Sequence, residues 1–318
     1  MLSKIFYIKL QFVLFSFLLL NCTKKNLEEN DIKIIAYQKY NTMGRFNPKA
    51  YAYIDQLIYK LIRVQPNGNL ELLPTTISDL NTLKKNKEGF DQVKLLIGVG
   101  GAKKNSEHFS TLAASNSSRL LFTKKIKEFC FKYGLDGADI DWEYPKNERD
   151  KKNALILFKT LKTEFTASNL ILTAAFNYKT DQVHFAKSIE PYIDQLHLMA
   201  YEPIPGLDTF DEQLEYAYQQ IKNQNLVHKK LYIGLPFYGR SLIDKKIIPY
   251  NKLIKKSRNK IKYNNLDLID TLNIQINTRK AKTQKLGGVM FWELGFDCPI
   301  DSGDSLLKKI YETKQEQY

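Results

Sequence analysis

The chain has 318 residues, 43% hydrophobic and 26% charged, which is an ordinary globular composition with ample length for a large core. No Gly/Ser-rich or Pro-rich linker, low-complexity segment or internal repeat divides it, so a fibrous or repeat protein is excluded. The formal net charge is +14, but the lysines are scattered and no Arg-aromatic module for nucleic acid is visible, so the charge reads as a solvated surface.

Residues 1–21 read as a signal peptide. Lys4 and Lys9 give a positive start, and the apolar core at 12–20 is too short for a convincing membrane-spanning helix. The core ends in Leu19-Leu20-Asn21-Cys22, which resembles a bacterial lipobox, with Asn21 in place of the usual small residue. On that reading Cys22 is acylated and becomes the mature N-terminus, and residues 22–31 form a lipidated spacer. The expected location is the bacterial cell envelope, lipid-anchored at the outer membrane or cell surface; the alternative is plain secretion.

Short apolar segments follow at 32–37, 56–62 and 93–97, the last running into Gly98-Val99-Gly100-Gly101. A helical stripe comes next: Phe122, Ile126, Phe129, Cys130 and Tyr133, with Ser118 as N-cap. A fourth strand lies within 135–145, and further strands are predicted at 170–176, 195–201, 230–236 and 288–292. Amphipathic helices are predicted at 150–165, 209–224 and 303–313. Eight short apolar strands alternating with helices or loops argue for a parallel sheet buried on both faces. A closed (β/α)8 TIM barrel over 32–318, as a single domain, fits best, with a doubly wound open sheet as a runner-up that pattern alone separates poorly from it. In that fold Cys130 sits on an outer helix and Cys298 near a strand end, so two buried thiols are expected rather than a disulfide. The densest basic stretch is 245–262, comprising Lys245, Lys246, Lys252, Lys255, Lys256, Arg258, Lys260 and Lys262.

The fourth strand carries the chemistry. It reads Leu-Asp-Gly-Ala-Asp-Ile-Asp-Trp-Glu-Tyr-Pro from 135 to 145. Asp139, Asp141 and Glu143 at i, i+2 and i+4 share one face of a strand, while Ala138, Ile140 and Trp142 face the other way. Three like charges beside a packed core are costly unless protons are shared or function demands them. Three readings are open: an edge strand with a solvated acidic face, oxygen ligands for a divalent cation, or acid chemistry on a glycosidic bond. No other acid-rich segment offers ligands to complete a cation site, so no metal is expected, and no cofactor.

Residues 136–145 match the DGxDxDWEYP signature, and the chain resembles glycoside hydrolase family 18, the chitinase family. The resemblance covers almost the whole mature chain. Gly98-Val99-Gly100-Gly101 is similar to the family's SxGG turn, with Gly98 in place of Ser. Met199-Ala200-Tyr201-Glu202 is similar to its MxYD, with Glu202 in place of Asp. Gly288-Val-Met-Phe-Trp292-Glu293 is similar to the segment whose Trp floors the sugar site. Two departures stand out. Tyr59-Lys60-Leu61 occupies a position where the family commonly has Tyr-Ala-Phe, so an aromatic wall is missing. The segment 237–285 leaves room for at most a reduced insertion between strands seven and eight.

The resemblance implies a retaining, substrate-assisted hydrolysis of β-1,4 bonds next to N-acetylglucosamine in chitin or chitooligosaccharides. Glu143 is then the general acid, Asp141 orients the substrate's acetamido group, Asp139 shares a proton with Asp141, and Tyr201 donates to the acetamido oxygen. Trp292, Met199, Glu202, Tyr37, Gly100, Gly101 and Tyr144 are the expected substrate-binding residues. Asp136 serves a turn, and His197 is a satisfied core residue. The partners implied are an N-acetylglucosamine oligosaccharide or polysaccharide and a membrane reached through the lipid, with no nucleic acid. Two alternatives remain: an endo-β-N-acetylglucosaminidase acting on N-glycans, and a non-catalytic lectin, the latter disfavoured because Glu143 is present.

Overall fold

The computed structural model describes residues 31–258 and 266–316. The expected signal peptide, Cys22, most of the spacer, and Lys260 and Lys262 of the basic stretch lie outside the described residues.

Eight parallel strands form the centre: β1 (Lys33–Lys39), β2 (Gln56–Val64), β3 (Lys94–Gly100), β4 (Gly137–Asp141), β5 (Ile171–Asn177), β6 (Gln195–Met199), β7 (Leu231–Pro236) and β8 (Gly288–Trp292). Each pairs with the next, and β8 returns to β1, so the sheet closes into a barrel. Closure removes both edges, which the runner-up open sheet would have left. Asp136 serves the strand starts, as expected: it accepts from Leu95 N–H at 2.8 Å and from Lys94 Nζ at 3.0 Å.

Two strand ends differ from expectation, each for a local reason. β2 runs on to Val64 because Val64 and Arg63 pair antiparallel with Leu70–Glu71. β6 stops at Met199 because Ala200 N–H turns back onto Leu198 O at 2.8 Å, leaving Tyr201 and Glu202 on the turn beyond the strand.

The outer helices are α1 (Thr76–Asn86), α2 (Asn116–Tyr133), α3 (Glu148–Ala167), α4 (Thr180–Ile189), α5 (Phe210–Asn223), α6 (Thr271–Thr283) and α7 (Leu306–Gln315). Ser115, not Ser118, caps α2: its Oγ accepts from the Ser118 N–H at 3.3 Å. Gly134 ends that helix at φ 62°, a left-handed turn that glycine adopts without strain. α1 and α4 were not anticipated, and α6 was expected only as a connecting helix somewhere within 237–285. The buried face of α6 consists of Ile274, Asn277, Thr278 and Ala281, so polar and small residues hide its apolar period. Cys130 and Cys298 are both buried and are not joined to each other. Among the described residues no helix is long and apolar enough to cross a membrane.

After β7 the chain forms a small antiparallel sheet from Tyr238–Ser241, Ile247–Pro249 and Leu266–Asp267, with a helix at Tyr250–Arg258. This is the reduced insertion. Arg240 ties it to the barrel mouth: its guanidinium reaches Tyr201 O at 3.0 Å and Asp267 at 3.3 Å, and lies 4.6 Å from the Phe210 ring centroid. The ion pair, the carbonyl and the aromatic face offset part of the cost of burying this guanidinium, whose Nε has no hydrogen-bond partner.

Candidate active site

The polar face of β4 points into the barrel and meets partners from four other strands, β1, β2, β5 and β6. Asp139 is fully buried. Its Oδ1 accepts from Thr173 Oγ1 at 2.7 Å, and its Oδ2 accepts from the Tyr37 hydroxyl at 3.1 Å. The same hydroxyl lies 2.7 Å from His197 Nδ1, and His197 Nε2 lies 3.0 Å from Gln195 Oε1, which pairs with Gln56 on the far wall. Burial holds the His197 pKa down to about 3, so the ring is a neutral member of a hydrogen-bonded barrel interior. It is the satisfied core residue the sequence led us to expect.

Asp141, one layer higher, ends β4. Its Oδ2 lies 2.6 Å from Lys60 Nζ, and both side chains are almost wholly buried. Burial pushes the Asp141 carboxyl upward and the Lys60 ammonium opposes that shift. The Asp141 carbonyl accepts from Gly101 N–H at 2.7 Å. Gly100 makes this turn at φ 91°, where a Cβ would sit 2.4 Å from the Asp141 carbonyl oxygen, so the position requires glycine. Ser106 Oγ nestles against Gly101 O (2.7 Å) and Asp141 O (3.0 Å) and receives the Glu143 N–H at 3.0 Å. Ser106 thereby fixes the backbone on which Glu143 stands.

Burial pushes Glu143 up to about 9; the negative charges of Asp141 and Glu202 add to this and Lys60 opposes it. Asp141 Oδ1 is buried without a hydrogen-bond partner, and the Asp141 carboxyl acts on Glu143 through its negative charge. The three acids and Glu202 therefore form a coupled group in which Glu143 keeps its proton through neutral pH.

Lys60, Asp141, Glu143, Gly101, Met199, Tyr201, Glu202 and Trp292 line a cavity of about 270 Å³ at the carboxyl ends of the strands, closed from the insertion side by Tyr238 and Ile247. Active sites of this architecture are built at that end. Tyr37, Gly100 and Tyr144, expected at the substrate, are instead placed behind the lining. Tyr37 is buried beside Trp292, ring centroids 5.8 Å apart, with its hydroxyl committed to Asp139 and His197. Gly100 shapes the turn. Tyr144 donates its hydroxyl to Glu202 Oε2, and Tyr178 donates to the Glu202 carbonyl, so the residue found in place of an aspartate is fixed at both ends. Trp142 faces outward, stacked on Phe109 at 5.3 Å.

Three contributors were missed from sequence. Lys60 was given no role of its own, only noted within Tyr59-Lys60-Leu61, yet a lone lysine inside the apolar run 57–62 of a doubly buried strand must find a buried partner. Ser106 carries no sequence signal. Glu293 is buried, accepts from Lys39 N–H and Thr42 Oγ1 at 3.0 Å each, and pins the segment after β1 beside Trp292; burial raises its pKa to about 7. A second cavity of about 450 Å³, lined by Arg45, Lys252, Lys255, Asp297 and Cys298 among others, lies apart from these carboxylates. Among the described residues no group of three or more His, Cys, Asp or Glu side chains is arranged to hold a metal ion.

Residues 9–297 match the model of glycosyl hydrolases family 18. The chain belongs to that family. It is 30% identical over 175 residues to a probable chitinase 2 of Drosophila melanogaster, covering 49% of this chain and 36% of the relative. It is 28% identical over 220 residues to an endochitinase of Manduca sexta, covering 58% and 40%. The chain thus spans well under half the length of these two family 18 relatives. A family 18 chitinase from Cycas revoluta, solved in complex with (GlcNAc)3, shares the fold with a TM-score of 0.77 at 19% identity, covering 88% of this chain and 99% of that one.

Proposed function

We propose that this chain hydrolyses β-1,4 glycosidic bonds next to N-acetylglucosamine in chitin or chitooligosaccharides, with retention and with the substrate's acetamido group as nucleophile. The observation that carries the reading is that Glu143 and Asp141 line one cavity wall, where burial and the neighbouring negative charges push Glu143 up to about 9. A carboxylic acid that keeps its proton near neutral pH is what a glycosidic oxygen needs as the bond breaks.

In the proposed cycle Glu143 donates its proton to the glycosidic oxygen while the C–O bond to the anomeric carbon breaks. The acetamido carbonyl oxygen attacks that carbon from the opposite face, forming a cyclic oxazolinium. Asp141 accepts the acetamido N–H and its negative charge faces the developing positive charge. The Tyr201 hydroxyl donates to the acetamido oxygen. Trp292 offers an apolar face for the sugar ring, and Met199 packs beside it. Water then opens the oxazolinium from the face the leaving group vacated. Glu143, now a carboxylate, takes the water's proton, which restores the acid and retains configuration.

The membership of family 18 and the (GlcNAc)3 complex of the Cycas relative support this substrate class. The deciding experiment compares cleavage of a labelled chitooligosaccharide with cleavage of a labelled N-glycan. Cleavage of the first only is expected. N-glycan cleavage alone would make the protein an endo-β-N-acetylglucosaminidase, and binding without cleavage a lectin. We also propose that Cys22 carries the lipid that tethers the domain to the cell envelope, on the strength of the residues that precede it.

A further inference from the structure

We propose that Lys60 is a positioning residue for Asp141: its ammonium holds Asp141 in place as a carboxylate. The inference rests on the reading of Glu143 as the acid and assigns what sets the charge of its neighbour.

The first argument is the accounting of carboxylate oxygens. Both oxygens of Asp139 are occupied, by Thr173 Oγ1 and by the Tyr37 hydroxyl. Asp141 Oδ2 is occupied by Lys60 Nζ at 2.6 Å. Asp141 Oδ1 is buried without a partner. The contact that favours a charged Asp141 is therefore the Lys60 ammonium, which meets it in an almost wholly buried ion pair.

The second argument is volume. Lys60 sits opposite Gly98 in the β2–β3 register, and Gly98 sits opposite Asp139 in the β3–β4 register. A Cβ at position 98 would lie 2.2 Å from Lys60 Cδ and 3.3 Å from the Tyr59 carbonyl oxygen. The lysine stem therefore crosses β3 over the space that any side chain at 98 would fill. Because its far end is held by the ion pair, the stem cannot simply swing aside. Lys60 and Gly98 act as one unit: the glycine opens the path along which the ammonium reaches Asp141.

The charge balance around Asp141 makes the consequence testable. From its own strand and the segment after it, Asp139, Glu143 and Tyr144 face it; from β1, Tyr37; from β6 and its turn, His197, Tyr201 and Glu202. Lys60 is the cation in direct contact with the carboxylate. Removing it takes away the attraction that favours the ionised form, so Asp141 takes up a proton at higher pH.

The test is Lys60→Met, which keeps the length of the stem and removes the charge, with Lys60→Gln as the second variant should the first fail to fold. Two readouts are taken: the pH dependence of kcat and KM on chitotetraose, and the titration of the Asp141 carboxyl carbon by NMR without substrate. The expected result is an acid limb and an Asp141 titration both moved upward by one pH unit or more. The fall in kcat at neutral pH should be about tenfold or more, with KM little changed. Gly98→Ser is expected to dislodge Lys60 and reproduce the shift, while Lys60→Ala combined with Gly98→Ser loses no more than either alone. If Asp141 titrates and the acid limb falls at the parent pH in the variants, Lys60 only fills space and the proposal is overturned. Should the parent protein leave chitotetraose uncut, the hydrolase reading fails, and the Asp141 titration still decides the role of Lys60.

Discussion

Glu143→Gln separates the acid's chemistry from its cost to the fold. In the folded chain burial, with Asp141 and Glu202 beside it, raises the Glu143 pKa from 4.5 to about 9. A carboxyl whose folded pKa is raised binds more protons folded than unfolded between those two values, so folding stability falls as pH rises from 4.5 toward 9. At about 1.4 kcal/mol per pH unit, the two and a half units up to pH 7 amount to on the order of 3 kcal/mol. Glutamine has no proton to lose and stays neutral at every pH in this range. The variant should therefore be more stable than the parent at pH 7 by up to that amount. With unfolding entropy of about 2.1 cal/mol/K per residue, a chain of this size melts about 5 °C higher at pH 7 and only about 1 °C higher at pH 5. Turnover of chitotetraose should fall on the order of 10²-fold or more while oligosaccharide binding persists. Thermal melts of both proteins from pH 5 to pH 8 are the assay. A melting difference that does not change with pH would refute the raised proton affinity, and hydrolysis at the parent rate would refute the role of Glu143 as acid.

Tyr201→Phe removes the hydroxyl proposed to meet the acetamido oxygen and should lower kcat on the order of 10²-fold with a smaller change in KM; an unchanged kcat would remove Tyr201 from the mechanism. Exhaustive dialysis against EDTA should leave the rate unchanged, and a loss restored by Mg²⁺ or Ca²⁺ would revive a cation at the acidic row. Cys22→Ser should release the protein from membranes into the soluble fraction, because several acyl chains at about 0.8 kcal/mol per buried CH₂ anchor firmly; failure of the native protein to take up labelled palmitate in a lipoprotein-processing bacterium would count against the lipid. Initial rates should be higher on chitohexaose than on crystalline β-chitin. The chain has two tryptophans; Trp142 is buried under Phe109 and only Trp292 lines the cavity, so no exposed tryptophan path feeds a polymer inward. Rapid processive release of dimer from crystalline material would overturn that expectation.

The eight strands and the acidic row were legible in the sequence as local patterns, while the choice of a closed barrel and of the site residues at the strand ends came from the family resemblance. Alternation at period two puts Asp139 and Asp141 on one face, with Glu143 two residues past the strand's end, and eight apolar segments spaced by helices leave few ways to bury both faces of a sheet. Helix α6 was hidden because its buried side uses Asn277 and Thr278, whose place inside depends on neighbours far along the chain. The roles of Tyr37 and Lys60 were decided only by closure of the barrel. Closure set Tyr37 behind Trp292, with its hydroxyl between Asp139 and His197, residues 102 and 160 positions away. It also brought Lys60 across Gly98 to Asp141, 81 positions away. Residue type says that a buried ammonium needs a partner; only the register of three adjacent strands determines which carboxylate it finds.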